Sequence, residues 1–337
     1  MNVGFRVDSS KKIGGGHFYR SINFAEFLKK KNKIFFLSKK LSITQIKLLK
    51  KKDFIFKKIS EKKNDLDNIK KFIFDYKIDY LIIDNYKIST STKKKIKPLV
   101  KKLIVVDDRI SISHFSDVLI NSNYLNKSDL IRIQRNNKET KKFLGPECNF
   151  NFFSNNIHKP KKKIKSIFIF FGMIDGENYT NKILNLIKNI KDIKIIVVIG
   201  IFNKNKEKIF QTFKNFKNIK FYENLKTKQM IIKLSQSDFS IGSGGVNLIE
   251  KISIGLPSLV VSKIKNQQNG LKNLKRKKLI IHKNLSNLSE EFFINLLKVK
   301  KYNLISEIQK NCYNESLRLK KKKKIFITEF KKIFSYN

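Results

Sequence analysis

Short apolar runs recur along the chain, and each of them ends at a polar residue or a glycine. They are three to seven residues long and rich in Ile, Val and Phe, which is typical of buried strands in a parallel sheet. Five runs lie before residue 125 and five lie after residue 165. The predicted strands are 2–7, 33–37, 80–83, 102–106, 118–120, 167–171, 193–199, 219–222, 239–241 and 258–261.

Helical patterns lie between these runs. Residues 17–30 place Phe18, Ile22 and Ala25 at helical spacing, with Phe24 or Leu28 continuing the apolar face. Further helices are predicted after Leu288 and over 304–334. Strands that alternate with helices predict a parallel sheet with crossover connections.

A polar stretch over 149–165, with Pro160 and a lysine run, predicts a linker. The sequence therefore predicts two doubly wound α/β domains, which suits a length of 337 residues. Residues 1–155 would form one Rossmann-like domain. Residues 160–337 would form a second one, with the last helix able to pack back on the first domain. Ligands of such sheets bind beyond the carboxyl ends of the strands, so residues directly after strands are the candidates.

The chain has a net charge of +47, from 74 Lys and Arg against 27 Asp and Glu. Only seven of the 74 are arginine, and the lysines are interleaved with Ile, Asn and Phe, the residues of A/T-rich codons. We interpret the excess as base-composition bias; a polyanion-binding surface and attraction to an anionic membrane are the alternatives. Readers of nucleic acid rely on arginine forks, so no specific nucleic-acid partner is predicted. The basic field would still attract an anionic substrate.

Targeting and metal signals are not evident. No signal-peptide pattern is present, and no apolar stretch reaches the 18 residues of a membrane span. Cys148 and Cys312 are far apart, and the four histidines lack metal-ligand spacing. We expect a cytoplasmic monomer without a transmembrane segment or a metal.

The first glycine motif is Ile13-Gly14-Gly15-Gly16-His17, between the first strand and the first helix. Glycines permit positive φ and a close approach of the backbone to a ligand. His17 would lie in the first helical turn, where the helix dipole disfavours imidazolium and keeps the ring able to act as a base. A generic strand–helix turn with a capping histidine is the alternative. The motif is neither a dinucleotide fingerprint nor a Walker loop.

A second glycine turn, Ile241-Gly242-Ser243-Gly244-Gly245, follows a strand and precedes a predicted helix over 246–254. Backbone N–H groups of Gly244, Gly245 and Val246 are suited to hold a diphosphate. Glu250 has two acceptor oxygens for two ribose hydroxyls. Gly255-Leu256-Pro257 ends the helix.

Two amide side chains, Asn266 and Gln267, come just after the strand over 258–261. Their N–H groups are suited to phosphate or sugar oxygens. The alternative is that they are ordinary surface residues of a compositionally biased chain.

Motifs spread over residues 2–270 form a recognisable set. They are Arg6-Val7-Asp8, 13–20, Ile83-Asp84-Asn85-Tyr86, Val106-Asp107-Asp108, 117–121, Gly145-Pro146-Glu147, 241–250, Gly255-Leu256-Pro257 and Asn266-Gln267. The set resembles the UDP-2,4-diacetamido-2,4,6-trideoxy-β-L-altropyranose hydrolase family of pseudaminic acid (nonulosonate) biosynthesis. The chain departs from that family at Met173, where a second glycine is usual, and at Val246-Asn247, where small hydroxyl residues are usual.

The resemblance implies a GT-B-type fold with an interdomain cleft, related to the glycosyltransferase that makes lipid II. It implies that the domain over 1–155 holds the sugar and the catalytic residue and that the domain over 160–337 binds UDP. It implies that His17 is catalytic, that Tyr86 lies in the active site and that Glu250 binds the uridine ribose. It also implies a reaction that needs no metal or other cofactor and inverts the anomeric carbon. The small-molecule partner would be a UDP-2,4-diacetamido-2,4,6-trideoxyhexose, from which water attack releases UDP.

The hypothesis that follows assigns His17 as the base that activates water. Asp84 and Tyr86 would position the sugar or the water. Asp8 would orient His17, bind sugar hydroxyls or cap the loop, and Arg6 and Arg20 would support the loop by pairing with Asp8. The expected substrate-binding residues are Asp8, Gly15, Gly16, Arg20, Asp84, Tyr86, Gly172, Gly244, Gly245, Val246, Glu250, Asn266 and Gln267.

Three alternatives stay open at this point. A glycosyltransferase of the same fold would use His17 on an acceptor hydroxyl instead of water. A hydrolysing UDP-sugar 2-epimerase would exchange the proton on the carbon next to the anomeric centre. A basic, non-enzymatic binding protein would use the fold as a scaffold, because fold alone does not fix function.

Overall fold

The computed structural model describes residues 1–10, 15–60, 64–150, 157–223, 225, 227–245, 247–262, 268–297 and 302–334. The chain divides into two compact units. Unit 1 comprises Met1–Asn151 and Phe326–Asn337, and unit 2 comprises Phe152–Ile325. No helix within the described residues combines the length and the apolar character that crossing a membrane requires.

Unit 1 is built on a parallel seven-stranded sheet in the order β3-β2-β1-β4-β5-β6-β7. Its strands are β1 Asn2–Val7, β2 Lys33–Ser38, β3 Ile55–Lys58, β4 Tyr80–Asp84, β5 Lys102–Val106, β6 Val118–Asn121 and β7 Lys141–Leu144. Its helices are α1 Gly16–Leu28, α2 Ile43–Lys51, α3 Asp65–Asp75, α4 Thr90–Ile96 and α5 Lys127–Asn136.

Alternation along the strands gives this sheet two apolar faces. Ile82 and Ile104 belong to the cluster that also contains the buried face of α1. Their neighbours Leu81 and Leu103 belong to the cluster on the opposite face. Both faces of the sheet are therefore buried, which explains why its central strands read as nearly continuous apolar runs.

The end of the last helix belongs to unit 1. Phe326 and Phe330 pack with Phe24, Phe143 and Phe150, with ring centroids 5.2–5.4 Å apart. Their helix, α12, covers Tyr302–Lys331, so its first residues are counted in unit 2. These aromatic side chains extend the apolar layer that covers α1.

Unit 2 has a parallel six-stranded sheet in the order β10-β9-β8-β11-β12-β13. Its strands are β8 Ser166–Phe170, β9 Lys194–Ile199, β10 Ile219–Glu223, β11 Phe239–Gly242, β12 Ser258–Val261 and β13 Ile280–Lys283. Its helices, besides most of α12, are α6 Tyr179–Ile187, α7 Lys206–Phe213, α8 Thr227–Ser235, α9 Asn247–Ser253, α10 Gln268–Arg276 and α11 Glu290–Leu297. The doubly wound α/β architecture predicted for both halves is confirmed.

All ten predicted strands are present, with ends that shift by one residue at most. The sequence missed β3, β7 and β13, which lie at the edges of their sheets. β3 and β7 each contain two lysines and are not fully buried, so their apolar signal is weak. Within the predicted linker, residues 157–165 contain neither helix nor strand, and 151–156 lie outside the described residues.

Glycine is required where the strand ends of unit 2 crowd together. Gly172, two residues after β8, has φ +89°, a conformation that side chains with a Cβ rarely adopt. A Cβ on Gly200, directly after β9, would collide with the backbone of Gly172 and Met173. These two glycines therefore let the loops after β8 and β9 lie against each other.

The aromatic layer of unit 1 yields a prediction about stability. Phe330→Ala removes a fully buried ring with six aromatic neighbours, so we expect it to cost about 3–5 kcal/mol of unfolding free energy. Phe74→Ala is the control, because Phe74 is 81% exposed and should change stability by no more than about 0.5 kcal/mol. Urea unfolding followed by circular dichroism measures both. Equal midpoints for the two variants would contradict this packing.

Candidate active site

The first strands of unit 1 bring the predicted residues together. β1 lies between β2 and β4, and Val7 pairs in register with Asp84. The chain leaves β1 toward β2 and leaves β4 toward β5, so the carboxyl ends of β1 and β4 form a topological switch point, where such sheets bind ligands. The helix that follows β1 begins at Gly16 and carries His17 in its first turn.

His17 and Asp84 form a hydrogen-bonded pair, with 2.6 Å between Nδ1 and Oδ1. A carboxylate only accepts, so the 2.6 Å contact assigns the proton to Nδ1, which donates it to Asp84. Arg20 Nη2 lies 3.2 Å from the same Nδ1, but both atoms then carry hydrogen and this longer contact is not a hydrogen bond. The other ring nitrogen, Nε2, makes no hydrogen bond to any described residue. The imidazole is 18% exposed, so Nε2 is left with a free lone pair on a partly accessible ring.

Arg20 holds Asp84 through two parallel hydrogen bonds. Its Nε donates to Oδ2 at 2.9 Å and its Nη2 donates to Oδ1 at 2.7 Å. Burial by itself raises the pKa of Asp84, but the charges of Arg20 and His17 and their hydrogen bonds outweigh it and lower the pKa to about 2. Asp84 is therefore ionised at neutral pH although it is only 1% exposed.

A closed ring of contacts surrounds His17. Besides Asp84, Arg20 binds Asp108, with 3.0 Å between Nη1 and Oδ2. Tyr86 donates its hydroxyl to the same Oδ2 of Asp108 at 2.7 Å. The Tyr86 ring then meets the His17 ring edge to face, with centroids 4.6 Å apart. These five residues therefore fix the imidazole on two sides.

The Tyr86 ring also contacts Arg109. The guanidinium of Arg109 lies 4.9 Å from the centre of the Tyr86 ring. Arg109 donates to both oxygens of Asp107, at 3.0 Å from Nε and 2.6 Å from Nη2. Burial, the Asp108 charge and the hydrogen bond raise the pKa of Tyr86, so its hydroxyl stays protonated and acts as a donor. Tyr86 is thus suited to position His17 and not to exchange protons.

The prediction that Arg20 pairs with Asp8 is wrong. Arg20 binds Asp84 and Asp108, whereas Asp8 binds Arg6 through both carboxylate oxygens at 2.8 and 2.9 Å. Asp8 also accepts hydrogen bonds from Lys39 N at 2.7 Å and Asn85 Nδ2 at 2.8 Å. It thereby ties β1 to the segment after β2. Asp84, and not Asp8, is the residue that orients His17. Binding of sugar hydroxyls by Asp8 and capping of the glycine loop stay predictions.

The glycines before His17 are only partly described. Gly15 is the N-cap of α1 and has φ −102°, so it does not need the left-handed freedom that a glycine offers. Its carbonyl accepts the first helical hydrogen bond, from Tyr19 N at 3.0 Å. Gly16 is exposed, and Gly14 lies outside the described residues. Contact of Gly15 and Gly16 with a ligand stays a prediction.

In unit 2 the second glycine motif also lies at a switch point. β8 lies between β9 and β11, and Gly242 is the last residue of β11. Gly244 and Gly245 come between β11 and α9, and Glu250 lies in α9. One oxygen of Glu250 accepts a hydrogen bond from Asn247 at 2.7 Å.

Three predicted residues of this motif and its surroundings, Val246, Asn266 and Gln267, lie outside the described residues. A role for them, and the ribose role of Glu250, stay predictions. No group of three or more His, Cys, Asp or Glu side chains placed to hold a metal ion occurs within the described ranges.

Sequence reasoning gave no role to three residues of the cluster: Asp107, Asp108 and Arg109. Asp107 and Asp108 directly follow β5, the strand next to β4, and they belong to the motif set that carries the resemblance. The rule that selects residues at the carboxyl ends of strands thus points to both carboxylates, although neither was assigned to the site. Arg109 has no such signal, since its role depends on the turn that carries it back over Tyr86.

No protein-family model matches the chain. An uncharacterized protein of Methanocaldococcus jannaschii is 27% identical over 312 residues, which cover 87% of this chain. The chain spans 62% of the length of that relative.

Solved structures match both units. MurG of Acinetobacter baumannii has a TM-score of 0.64 at 12% identity, over 93% of this chain and 94% of its own. HepE of Anabaena, solved with UDP-glucose, has a TM-score of 0.63 at 10% identity, over 98% and 100%. A UDP-glucosyltransferase from Polygonum tinctorium has a TM-score of 0.60 at 10% identity, over 96% and 98%. The chain has the two-domain GT-B fold. This confirms the fold class that the resemblance implied.

The buried Arg20–Asp84 pair predicts a pH-dependent stability. In Asp84→Asn, Asp108 is the one carboxylate among the described residues that still pairs with the Arg20 guanidinium. We therefore expect the free energy of unfolding to fall by about 3–5 kcal/mol at pH 7. Because the folded pKa of Asp84 is lowered from 3.8 to about 2, its ionisation stabilises the fold above pH 4 and this contribution disappears as the pH falls toward 2.

Urea unfolding between pH 7 and pH 2 measures both effects. The difference in unfolding free energy between wild type and Asp84→Asn should decrease by about 2 kcal/mol as the pH falls. Asp75→Asn is the control, because Asp75 is exposed and its 3.7 Å contact with Lys71 should contribute little. A difference in unfolding free energy that stays constant from pH 7 to pH 2 would show that Asp84 is not ionised in the folded protein.

Proposed function

We propose that this chain cleaves the anomeric C–O bond of a UDP sugar, with His17 as the general base. The observation that carries the proposal is the His17–Asp84 pair. Its Nδ1 is bound to a carboxylate that is fixed by Arg20, and its Nε2 has no partner among the described residues. A base held by a second group in one tautomer is the arrangement that proton abstraction requires.

The proton follows a simple path in this proposal. Nε2 takes a proton from a hydroxyl as its oxygen attacks the anomeric carbon, and the C–O bond to the diphosphate breaks. The imidazolium that forms is stabilised by the ionised Asp84 at 2.6 Å. UDP leaves with the bonding electron pair, and attack from the opposite face inverts the anomeric carbon.

The nucleotide is assigned to the second glycine turn. In this proposal Gly244, Gly245 and Val246 hold the diphosphate through main-chain N–H groups, and Glu250 binds the ribose. Asn266 and Gln267 donate to phosphate or sugar oxygens. The position of Gly242 at the switch point of unit 2 supports the assignment, because nucleotides bind there in doubly wound sheets.

Water as the attacking group would make the protein a hydrolase that acts in the cytoplasm on a UDP-2,4-diacetamido-2,4,6-trideoxyhexose. The sequence motifs around His17, Asp84 and Tyr86 favour this reaction, because they resemble those of the pseudaminic acid hydrolase family. An acceptor hydroxyl would instead make it a glycosyltransferase. That second candidate is favoured by the shared fold with a UDP-glucosyltransferase over 96% of the chain.

Proton NMR of the full chain with a panel of UDP-diacetamido sugars distinguishes the two candidates. Hydrolysis predicts UDP and a free sugar with inverted anomeric configuration in the absence of any acceptor. Transfer predicts little release until an acceptor alcohol is added. Deuterium incorporation at the carbon next to the anomeric centre in D₂O would instead indicate a 2-epimerase and would overturn both.

Loss of the base is the direct test of His17. With the sugar that reacts, His17→Ala should lower kcat by about 10²–10⁴-fold, because a positioned general base contributes that much. UDP affinity should change less than threefold, since the nucleotide is assigned to unit 2. Lys29→Ala, which removes an exposed side chain just after the other end of α1, is the control and should keep full activity. If His17→Ala retains more than a tenth of the activity, the assignment of the base is wrong.

A further inference from the structure

A lysine lies buried beneath the second glycine turn. Lys251, in α9, is 1% exposed. Its Nζ lies 5.8 Å from the centre of the Phe168 ring in β8. A Cβ built on Gly242 would lie 3.0 Å from the same Nζ. Because Gly242 is the last residue of β11, the amine lies at the carboxyl edge of the sheet.

The amine has no hydrogen-bond or ion-pair partner among the described residues. An ammonium has three donors, and burying one without an acceptor is strongly unfavourable. The charged group nearest in the chain is Glu250, on the same helix, and one of its oxygens accepts from Asn247. The strands packed against Lys251, β8 and β11, contribute Phe168 and Gly242 there, and neither of these titrates. The Glu250 charge therefore acts on the amine only from a distance, and no carboxylate within the described residues forms an ion pair with it.

Open space lies at the same edge. A Cβ on Gly172, after β8, would meet no atom of the described residues within 4 Å. A Cβ on Gly245, after β11, would meet Ser243 Oγ at 4.0 Å and no other atom of that part of the chain. The loops after these two neighbouring strands thus leave open space at the edge of the sheet where Gly242 and the amine lie.

We propose that Lys251 is the cationic residue of an anion site at the ends of β8 and β11, and that it takes up a proton when a nucleotide diphosphate binds there. The proposal rests on the proposed function, which supplies this ligand. Burial lowers the pKa of Lys251 to about 8, although the Glu250 charge opposes the shift. Part of the amine is therefore neutral near pH 8, and a bound anion favours its protonated form. By linkage, binding draws one proton from solvent onto Nζ, and no covalent bond changes.

Titration calorimetry of the full chain with UDP, and separately with inorganic pyrophosphate, tests this. Each titration is run at pH 8.2 in two buffers of different ionisation enthalpy, and the difference in heat gives the protons taken up. For UDP we expect uptake of roughly half a proton per bound ligand at pH 8.2, where its terminal phosphate is fully ionised. At pH 6.5 Lys251 is already charged, so wild type and Lys251→Met should then differ by almost no protons, because the terminal phosphate exchanges the same protons in both.

Two variants distinguish an effect on UDP binding from an effect on folding. Lys251→Met keeps the shape without the charge, and we expect about tenfold weaker binding of UDP at pH 6.5 with no proton uptake at pH 8.2. Its melting temperature should stay the same or rise, because an unpaired buried amine is replaced by an apolar group. Lys220→Met is the matched control: this exposed lysine lies on β10, at the far edge of the same sheet, and should change neither readout.

The outcomes distinguish this proposal from the proposed function. If wild type binds UDP at pH 8.2 without taking up a proton, the role proposed for Lys251 is wrong. This result requires no variant. Equal affinity of wild type and Lys251→Met also overturns that role. Binding with proton uptake but without turnover of any UDP sugar supports the anion site and removes the proposed reaction. If neither UDP nor pyrophosphate binds, both proposals fail.

Discussion

The candidate site depends on the bidentate ion pair between Arg20 and Asp84. Both side chains are almost fully buried, and two charges in that position are favourable only if they satisfy each other's hydrogen bonds. The pair meets this condition with bonds of 2.7 and 2.9 Å, and Asp84 uses its remaining capacity on His17 and Ser21. The imidazole is therefore oriented by a carboxylate that can neither move nor take up a proton at neutral pH.

Helix and strand geometry explains why these residues meet. His17 and Arg20 are three positions apart in α1, so they lie on the same face of the helix. Asp84 ends the strand next to β1 in the sheet, and α1 follows β1 directly. A helix that packs on a parallel sheet from this position brings both side chains over the end of β4. The same logic places Asp108, which follows β5, within reach of the other end of the Arg20 fork.

Much of this was accessible from sequence, and the errors have identifiable causes. Buried strands and the importance of their carboxyl ends follow from hydrophobic patterning, which pointed to Asp84. His17 came from the glycine motif before the first helix, and Tyr86 came only from the resemblance to the hydrolase family. The predicted partner of Arg20 was wrong because two carboxylates, Asp8 and Asp84, lie at the carboxyl ends of the neighbouring strands β1 and β4. Residues two apart on a strand share a face, so Arg6 satisfies Asp8, and Arg20 is left for Asp84. Which carboxylate pairs with Arg20 depends on how the helix and the strands pack, and the sequence alone does not show this.

The positions of three arginines are informative, whereas the lysines that make up most of the positive charge are spread along the chain. Arginine makes up seven of the 74 basic residues, yet Arg6, Arg20 and Arg109 all lie at the carboxyl edge of the unit 1 sheet. Each of them contacts both oxygens of one carboxylate, on Asp8, Asp84 or Asp107. A lysine ammonium is a point donor and does not reproduce this planar, two-pronged contact. Arg318 makes the same kind of contact with Glu315 in α12, away from the candidate site. Three of the four forks within the described residues therefore lie at the sheet edge that carries His17, where each of them holds a carboxylate in a fixed position.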